Sequence, residues 1–216
     1  MKKPLLFIPY ARWLRGRALP GQNSVACHGI LGSGLGLRFI SLIFLFCLAS
    51  TRTQALQTIY ITPSEALKTI FNTSREVVLE VKTLEDSQKK TIEKKIGSGL
   101  PKKTWNFYIA KSGSKIDGYA LIDNEVGKVE LITFMTAINP DGTIKAVEIL
   151  VYRESHGAEV HQKKFTKQFI GKNTHDPIRL GQGIQNISGA TLSARAVSLG
   201  VKRDLLLWEY FYGHKK

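Results

Sequence analysis

The sequence predicts an α+β fold in which an antiparallel sheet is flanked by helices. Three features carry that expectation. Between residues 105 and 152, short runs rich in β-branched and aromatic residues alternate with turn residues. Asn139-Pro140-Asp141-Gly142 separates two of these runs and reverses the chain, because proline presets φ and glycine accepts positive φ. Towards the C-terminus, Leu192, Ala196, Leu199, Leu206 and Tyr210 recur at helical spacing, and Val197, Val201, Leu205 and Trp208 widen the stripe. At 216 residues with 43% apolar content, the chain is long enough for one domain with a real core.

In chain order, residues 63–71 place Ala66, Leu67, Ile70 and Phe71 on one helical face. Residues 77–81 are a short β-branched run. Residues 86–96 form a second helical segment, closed by Gly97-Ser98-Gly99-Leu100-Pro101. Its lysines at 89, 90, 94 and 95 suit a solvated face, with an acidic partner or the membrane surface as the alternatives. Strands follow at 105–110, 118–123, 129–138 and 143–152. Apolar residues occupy both faces of this meander in places, Ile132 and Phe134 against Leu131 and Met135, which implies that helices cover one side. The polar stretch 172–183 reads as a loop in which Arg179 is a candidate phosphate contact. Trp208, Tyr210, Phe211 and Tyr212 read as core or as a docking edge.

Residues 1–55 read as a leader. An apolar run at 39–49 follows Arg38 and precedes small residues, the pattern of a secretory signal cleaved after Ala55 or Ala49. The run is shorter than the roughly 20 apolar residues that a spanning helix needs. No methionine lies between Met1 and Met135, so translation starts nearer Leu31 at a non-Met codon or the leader is extended. The expected location is outside the cytoplasm, in the periplasm or on the outer face of the cytoplasmic membrane. Half of the formal net charge of +14 belongs to this leader, which holds seven basic side chains and no acidic one. That removes much of the support for nucleic-acid binding, and no nucleic-acid partner is expected. Both cysteines, Cys27 and Cys47, fall in the leader, so disulfides, thiol catalysis and Cys-ligated metals are excluded from the mature protein. Residues 56–110 are expected to pack as a helical and strand segment on a main domain spanning 111–216.

Two stretches carry the candidate chemistry. In Ile187-Ser188-Gly189-Ala190-Thr191-Leu192-Ser193, a loop closes into the first turn of the last helix. A helix start leaves N–H groups unpaired and carries partial positive charge, so it suits an anion. Gly189 permits close approach or positive φ, Ser188 can cap, and Thr191 presents a hydroxyl. The second stretch, Glu154-Ser155-His156-Gly157, is a loop at a strand's end, a common address for ligand contacts. His161 and His175 have no partner at metal-ligand spacing and His156 shares no helical face with His161, so no metal is expected. Neither Ser188 nor Ser193 sits in the Gly-x-Ser-x-Gly of a hydrolase nucleophile.

Ser188-Gly189-Ala190-Thr191, followed by Leu192 and the small hydroxyl residue Ser193, resembles the flavin-attachment motif of the FMN-binding domain family. That family includes the covalent-flavin small subunits of the Rnf complex and of the sodium-pumping NADH:quinone reductase. The resemblance covers roughly residues 117–206. It implies FMN as cofactor, with its phosphate at the N-terminus of the C-terminal helix and esterified to Thr191 by a flavin transferase. It also implies that Glu154, Ser155, His156 and Gly157 pack near the flavin ring, beside Ser188, Gly189, Ala190, Thr191, Leu192 and Ser193. No catalytic acid or base is then needed. The protein would carry electrons between partners, one of them a membrane-bound redox protein. Where the family motif often has an aspartate six residues before the threonine, this chain has Gln185. The alternative function is a non-catalytic regulatory or binding module that holds FMN, or another phosphate ligand, non-covalently.

Overall fold

The computed structural model describes residues 57–213, so the leader, with its signal sequence and both cysteines, lies outside the described residues. A six-stranded antiparallel sheet organises them. It comprises β1 (Thr58–Ile59), β2 (Glu76–Thr83), β3 (Thr104–Ser112), β4 (Lys115–Val126), β5 (Leu131–Ile138) and β6 (Ile144–Tyr152), in the order β1-β6-β5-β4-β3-β2. From β2 to β6 the strands form a meander in which each pairs with the next, while β1 closes the far edge by pairing Thr58 with Tyr152.

Helix α1 (Pro63–Ile70) starts on a capping box: Thr62 accepts from the Glu65 N–H, and Glu65 reaches back to the Thr62 N–H. Helix α2 (Asp86–Ile96) ends on Gly97 in the left-handed conformation. After β6 come a 3₁₀ turn (Ala158–His161), the single turn α3 (Lys163–Thr166) and a further 3₁₀ turn (Lys167–Phe169). Within 172–184 lie the two-residue strands β7 (Arg179–Leu180) and β8 (Gly183–Ile184), which pair in parallel. The chain then enters α4 (Thr191–Tyr212).

Both faces of the sheet are covered, not one. On one face Ala66, Leu67 and Phe71 of the α1 segment pack with Ala110, Ala120, Met135, Ala137 and Leu150. On the other, α4 lays Ala194, Val197, Val201 and Leu205 against Phe107, Leu121, Ile132 and Phe134. The meander's alternation serves two separate apolar layers, which is why its apolar residues occur at both parities. The stripe of α4 centres on the residues expected to widen it: Val197, Val201 and Leu205 are completely buried together with Ala194, whereas Leu192 is 47% exposed. Gly200 allows the close approach, since a Cβ there would come within 2.3 Å of the Phe134 ring. The C-terminal aromatics join the core, with Tyr119 edge-on to Trp208 at 5.8 Å between ring centroids and Phe107 edge-on to Tyr212 at 5.1 Å.

Between α4 and β4 lies a charged network that the helical stripe gave no sign of. Arg203 and Asp123 are buried ion-pair partners, and Arg203 also pairs with Glu125. Lys102 reaches Asp123 from the surface side at 3.0 Å. Asp204, fully buried, accepts a 2.7 Å hydrogen bond from the Thr136 hydroxyl. Burial, then the neighbouring Asp123, push the Asp204 carboxyl well above the usual carboxylate range.

Candidate functional site

The two candidate stretches meet where β6 ends. Tyr152, the last residue of β6, is buried, and its hydroxyl donates to the His156 carbonyl at 2.5 Å. That closes residues 153–156 into a compact turn. The same phenolic oxygen lies 2.8 Å from the hydroxyl of Ser193, which donates to it from the first turn of α4. Gly157 fills the narrow gap between them. A Cβ there would lie 2.7 Å from the Ser193 hydroxyl, 2.8 Å from the Tyr152 hydroxyl and 3.4 Å from the Ala190 Cα, at a φ of +89°.

Glu154 turns the other way. One of its carboxylate oxygens accepts the backbone N–H groups of Val129 and Glu130, at 2.6 and 2.9 Å, and so pins the β4–β5 hairpin. Partial burial would raise its pKa, but the N–H groups of Val129, Glu130 and Lys128 outweigh that and hold the carboxyl below its usual range. Ser155 and His156 are exposed, and the His156 Nδ1 donates to the Ser155 carbonyl at 2.6 Å. His161, in the 3₁₀ turn, stacks on Tyr60 with ring centroids 4.2 Å apart. Among the described residues no group of three or more His, Asp or Glu could hold a metal.

On the helix side, the Ala190 N–H donates to the Ile187 carbonyl at 3.1 Å, making a turn with Gly189 at a φ of +83°. The expected Ser188 cap does not form. This turn comes between Ser188 and α4, the N-cap position falls to Ala190, and no side chain caps the helix. The first-turn N–H groups of Thr191, Leu192 and Ser193 have no acceptor within a helix that begins there. Thr191 is exposed, and its hydroxyl oxygen accepts from the Asn186 amide at 2.8 Å, which orients it. Gln185 is held through its backbone, whose N–H donates to the Gln168 amide at 2.7 Å. Around Gly189 there is room: the atom nearest to where a Cβ would sit is Glu159 Oε1, at 3.7 Å. Arg179 is exposed on β7.

Of the ten candidate residues, Ser188, Gly189, Thr191, Leu192, Ser155 and His156 are exposed, Glu154 is half-buried, and Gly157, Ala190 and Ser193 are buried in the joint between the loops. Two others belong to the same neighbourhood. Tyr152 links the stretches, and Glu159 faces the Gly189 turn. Neither carries a separable sequence signal, because a strand-end tyrosine and a loop glutamate are ordinary by themselves.

An exposed threonine hydroxyl on a helix start whose first N–H groups lack intrahelical acceptors is chemistry compatible with an anion, set on an α+β scaffold. Residues 127–205 match the family model described as the FMN-binding domain, so the resemblance carried by the Ser188–Thr191 motif stands. The chain is 26% identical over 148 residues to one component of the Na(+)-translocating ferredoxin:NAD(+) oxidoreductase complex of Acetobacterium woodii, covering 62% of this chain and 72% of that protein. It is 30% identical over 122 residues to the corresponding component of the proton-translocating ferredoxin:NAD(+) oxidoreductase complex of Clostridium ljungdahlii, covering 53% of this chain and 64% of that protein. Among solved structures it is similar to NqrC of Shewanella oneidensis, with a TM-score of 0.49 at 16% identity over 70% of this chain and 88% of that one. One component of the Na(+)-translocating NADH-quinone reductase of Parabacteroides distasonis gives a TM-score of 0.43 at 15% identity over 86% of this chain and all of that one. No helix among the described residues is long and apolar enough to cross a membrane.

Proposed function

We propose that this chain is an exported flavoprotein that carries FMN, joined by a phosphoester to Thr191, and that it serves as an electron carrier between redox partners. The observation that carries the reading is the exposed, Asn186-oriented hydroxyl of Thr191 on the first turn of α4, inside the segment that matches the FMN-binding domain model. FMN would supply the redox chemistry. The chain's own part is to fix the phosphate and keep the cofactor within reach of partners. A phosphoester at Thr191 leaves one negative charge, which the N–H groups of the first helical turn stabilise. The exposure of Ser188, Gly189, Ser155 and His156 leaves the surrounding surface open to another protein. The relatives named above belong to ferredoxin:NAD(+) oxidoreductase complexes, which supports a membrane-bound redox protein as partner. A flavin transferase would make the ester, and the leader would place the protein outside the cytoplasm.

Co-expression with a flavin transferase, followed by denaturing gel fluorescence of the wild type and Thr191→Ala, tests the assignment. Flavin fluorescence is expected in the first lane only, and equal fluorescence in both would overturn Thr191 as the anchor. A second reading, a binding module that holds FMN without a covalent bond, is favoured by Gln185 standing where the family motif often has aspartate. Intact mass under denaturing conditions separates the two, since only an esterified flavin stays with the chain.

A further inference from the structure

Glu159 follows the tight Gly157 joint in the 3₁₀ turn Ala158–His161, and its carboxylate is directed at the face of Gly189 that is otherwise open. Oε1 lies 3.7 Å, and Cδ 4.0 Å, from the point a Gly189 Cβ would occupy. Oε2 is buried and accepts no hydrogen bond. No ion pair among those of the described residues involves Glu159. Among the groups it acts on electrostatically are the hydroxyls of Tyr60 and Tyr152, both uncharged while protonated. A buried carboxylate oxygen with neither donor nor cation is costly to leave, and native structures rarely do so. The carboxylate is therefore under-compensated by the protein and presents its other oxygen to the same turn that leads to Thr191.

What belongs there is a donor and not a second anion, because phosphate oxygens beside a carboxylate are repelled. Resting on the FMN reading above, we propose that Glu159 accepts a hydrogen bond from a hydroxyl of the ribityl chain and so holds the flavin against the Gly189 turn. The ribityl chain is the part of FMN next to the phosphate. With the phosphate on Thr191, two residues from Gly189, its hydroxyls are the donors that come into reach. Glu159 then has two effects. It restrains the cofactor beyond its tether, and it sets a negative charge beside it that disfavours the reduced, electron-rich form. The same charge selects between phosphates: a monoanionic ester at Thr191 is tolerated better than the dianion of free FMN.

The test uses the full chain matured with a flavin transferase as wild type, Glu159→Gln and Glu159→Ala, all three checked for flavin retained on a denaturing gel. Fluorescence anisotropy of the attached flavin is expected to fall in Glu159→Ala towards that of free flavin. In Glu159→Gln, which keeps an acceptor but not the charge, anisotropy should be retained while the midpoint potential shifts upward. Protein prepared without the transferase should bind free FMN more tightly as Glu159→Gln than as wild type. Flavinylated variants with wild-type anisotropy and potential would overturn the role of Glu159 and leave the Thr191 reading standing. A wild type that takes up no flavin would overturn the reading beneath and this assignment with it.

Discussion

The phenol of Tyr152 and the hydroxyl of Ser193 meet at 2.8 Å inside the core, tying the last residue of β6 to the first turn of α4. Through it the loop 153–157 and the helix start that bears Thr191 become one rigid joint. The contact also separates two hydroxyls of the motif that the sequence treats alike: Ser193 faces the interior while Thr191 faces solvent.

Ser193→Ala should therefore act on stability and not on flavin attachment. The Tyr152 hydroxyl keeps its bond to the His156 carbonyl, so the loss is about 0.5–1.5 kcal/mol. Tyr152→Phe leaves both Ser193 and the His156 carbonyl without that partner and should cost more, about 1–3 kcal/mol. Urea denaturation measures both, and denaturing gel fluorescence of Ser193→Ala should match the wild type.

Gly157→Ala should disrupt the joint. A left-handed residue with a Cβ costs about 1–2 kcal/mol, and overlap in a packed site adds about 1–3 kcal/mol. The neighbours in the way are the Ser193 and Tyr152 hydroxyls, at 2.7 and 2.8 Å, and they cannot move apart without breaking the bond that joins them. A lowered Tm, together with faster amide exchange at Ser155, His156 and the first turn of α4, is the expected outcome.

Gly200→Ala offers a contrast between propensity and packing. Alanine is the better helix former by about 1 kcal/mol, yet the new methyl would meet the ring of Phe134, which is itself completely buried. Overpacking of about 1–3 kcal/mol should win, so the variant is destabilised. Leu205→Ala, which empties a fully buried position, should cost about 2–5 kcal/mol. Chemical denaturation at fixed pH checks both.

Asp204 should make stability fall as pH rises. The groups facing it are Thr136 on β5, Asp123 on β4, Arg203 on its own helix and Lys102 from the segment before β3. Its folded pKa lies above the ordinary value of 3.8, so between the two the native state binds more protons than the unfolded chain. The stability it contributes is fully present below 3.8 and is lost as pH climbs through the folded pKa. The local slope approaches at most about 1.4 kcal/mol per pH unit. Asp204→Asn does not titrate, so its unfolding free energy from about pH 4 to 9 should decline less than that of the wild type. Parallel profiles would show that Asp204 is ionised in the native protein.

Much of the chain's local structure is legible in its order of residues. The helix over 86–96 follows from its stop signals and matches Asp86–Ile96, and the reversal at Asn139-Pro140-Asp141-Gly142 joins β5 to β6 as its turn chemistry requires. Gly189 does take positive φ at the mouth of α4. The rest was hidden for a common reason. Ser188 is a good capping residue, but the turn that Gly189 permits moves the cap to Ala190. The sequence holds no hint that one oxygen of Glu154 accepts two N–H groups of the β4–β5 hairpin. Arg203 and Asp204 sit where a helical pattern would place solvated charges, and only β4 and β5 supply the Asp123 and Thr136 that receive them.

The amino-acid order alone thus determined the long helices and the meander strands, the α+β class and the Ser188–Thr191 motif, because each depends on residues within a turn or two of one another. The tertiary structure decided which hydroxyl of that motif faces out, which acids are engaged and which carboxylate is left without a partner. Those outcomes depend on pairs such as Tyr152 with Ser193 and Asp123 with Arg203, which become neighbours only when the sheet and the last helix pack together.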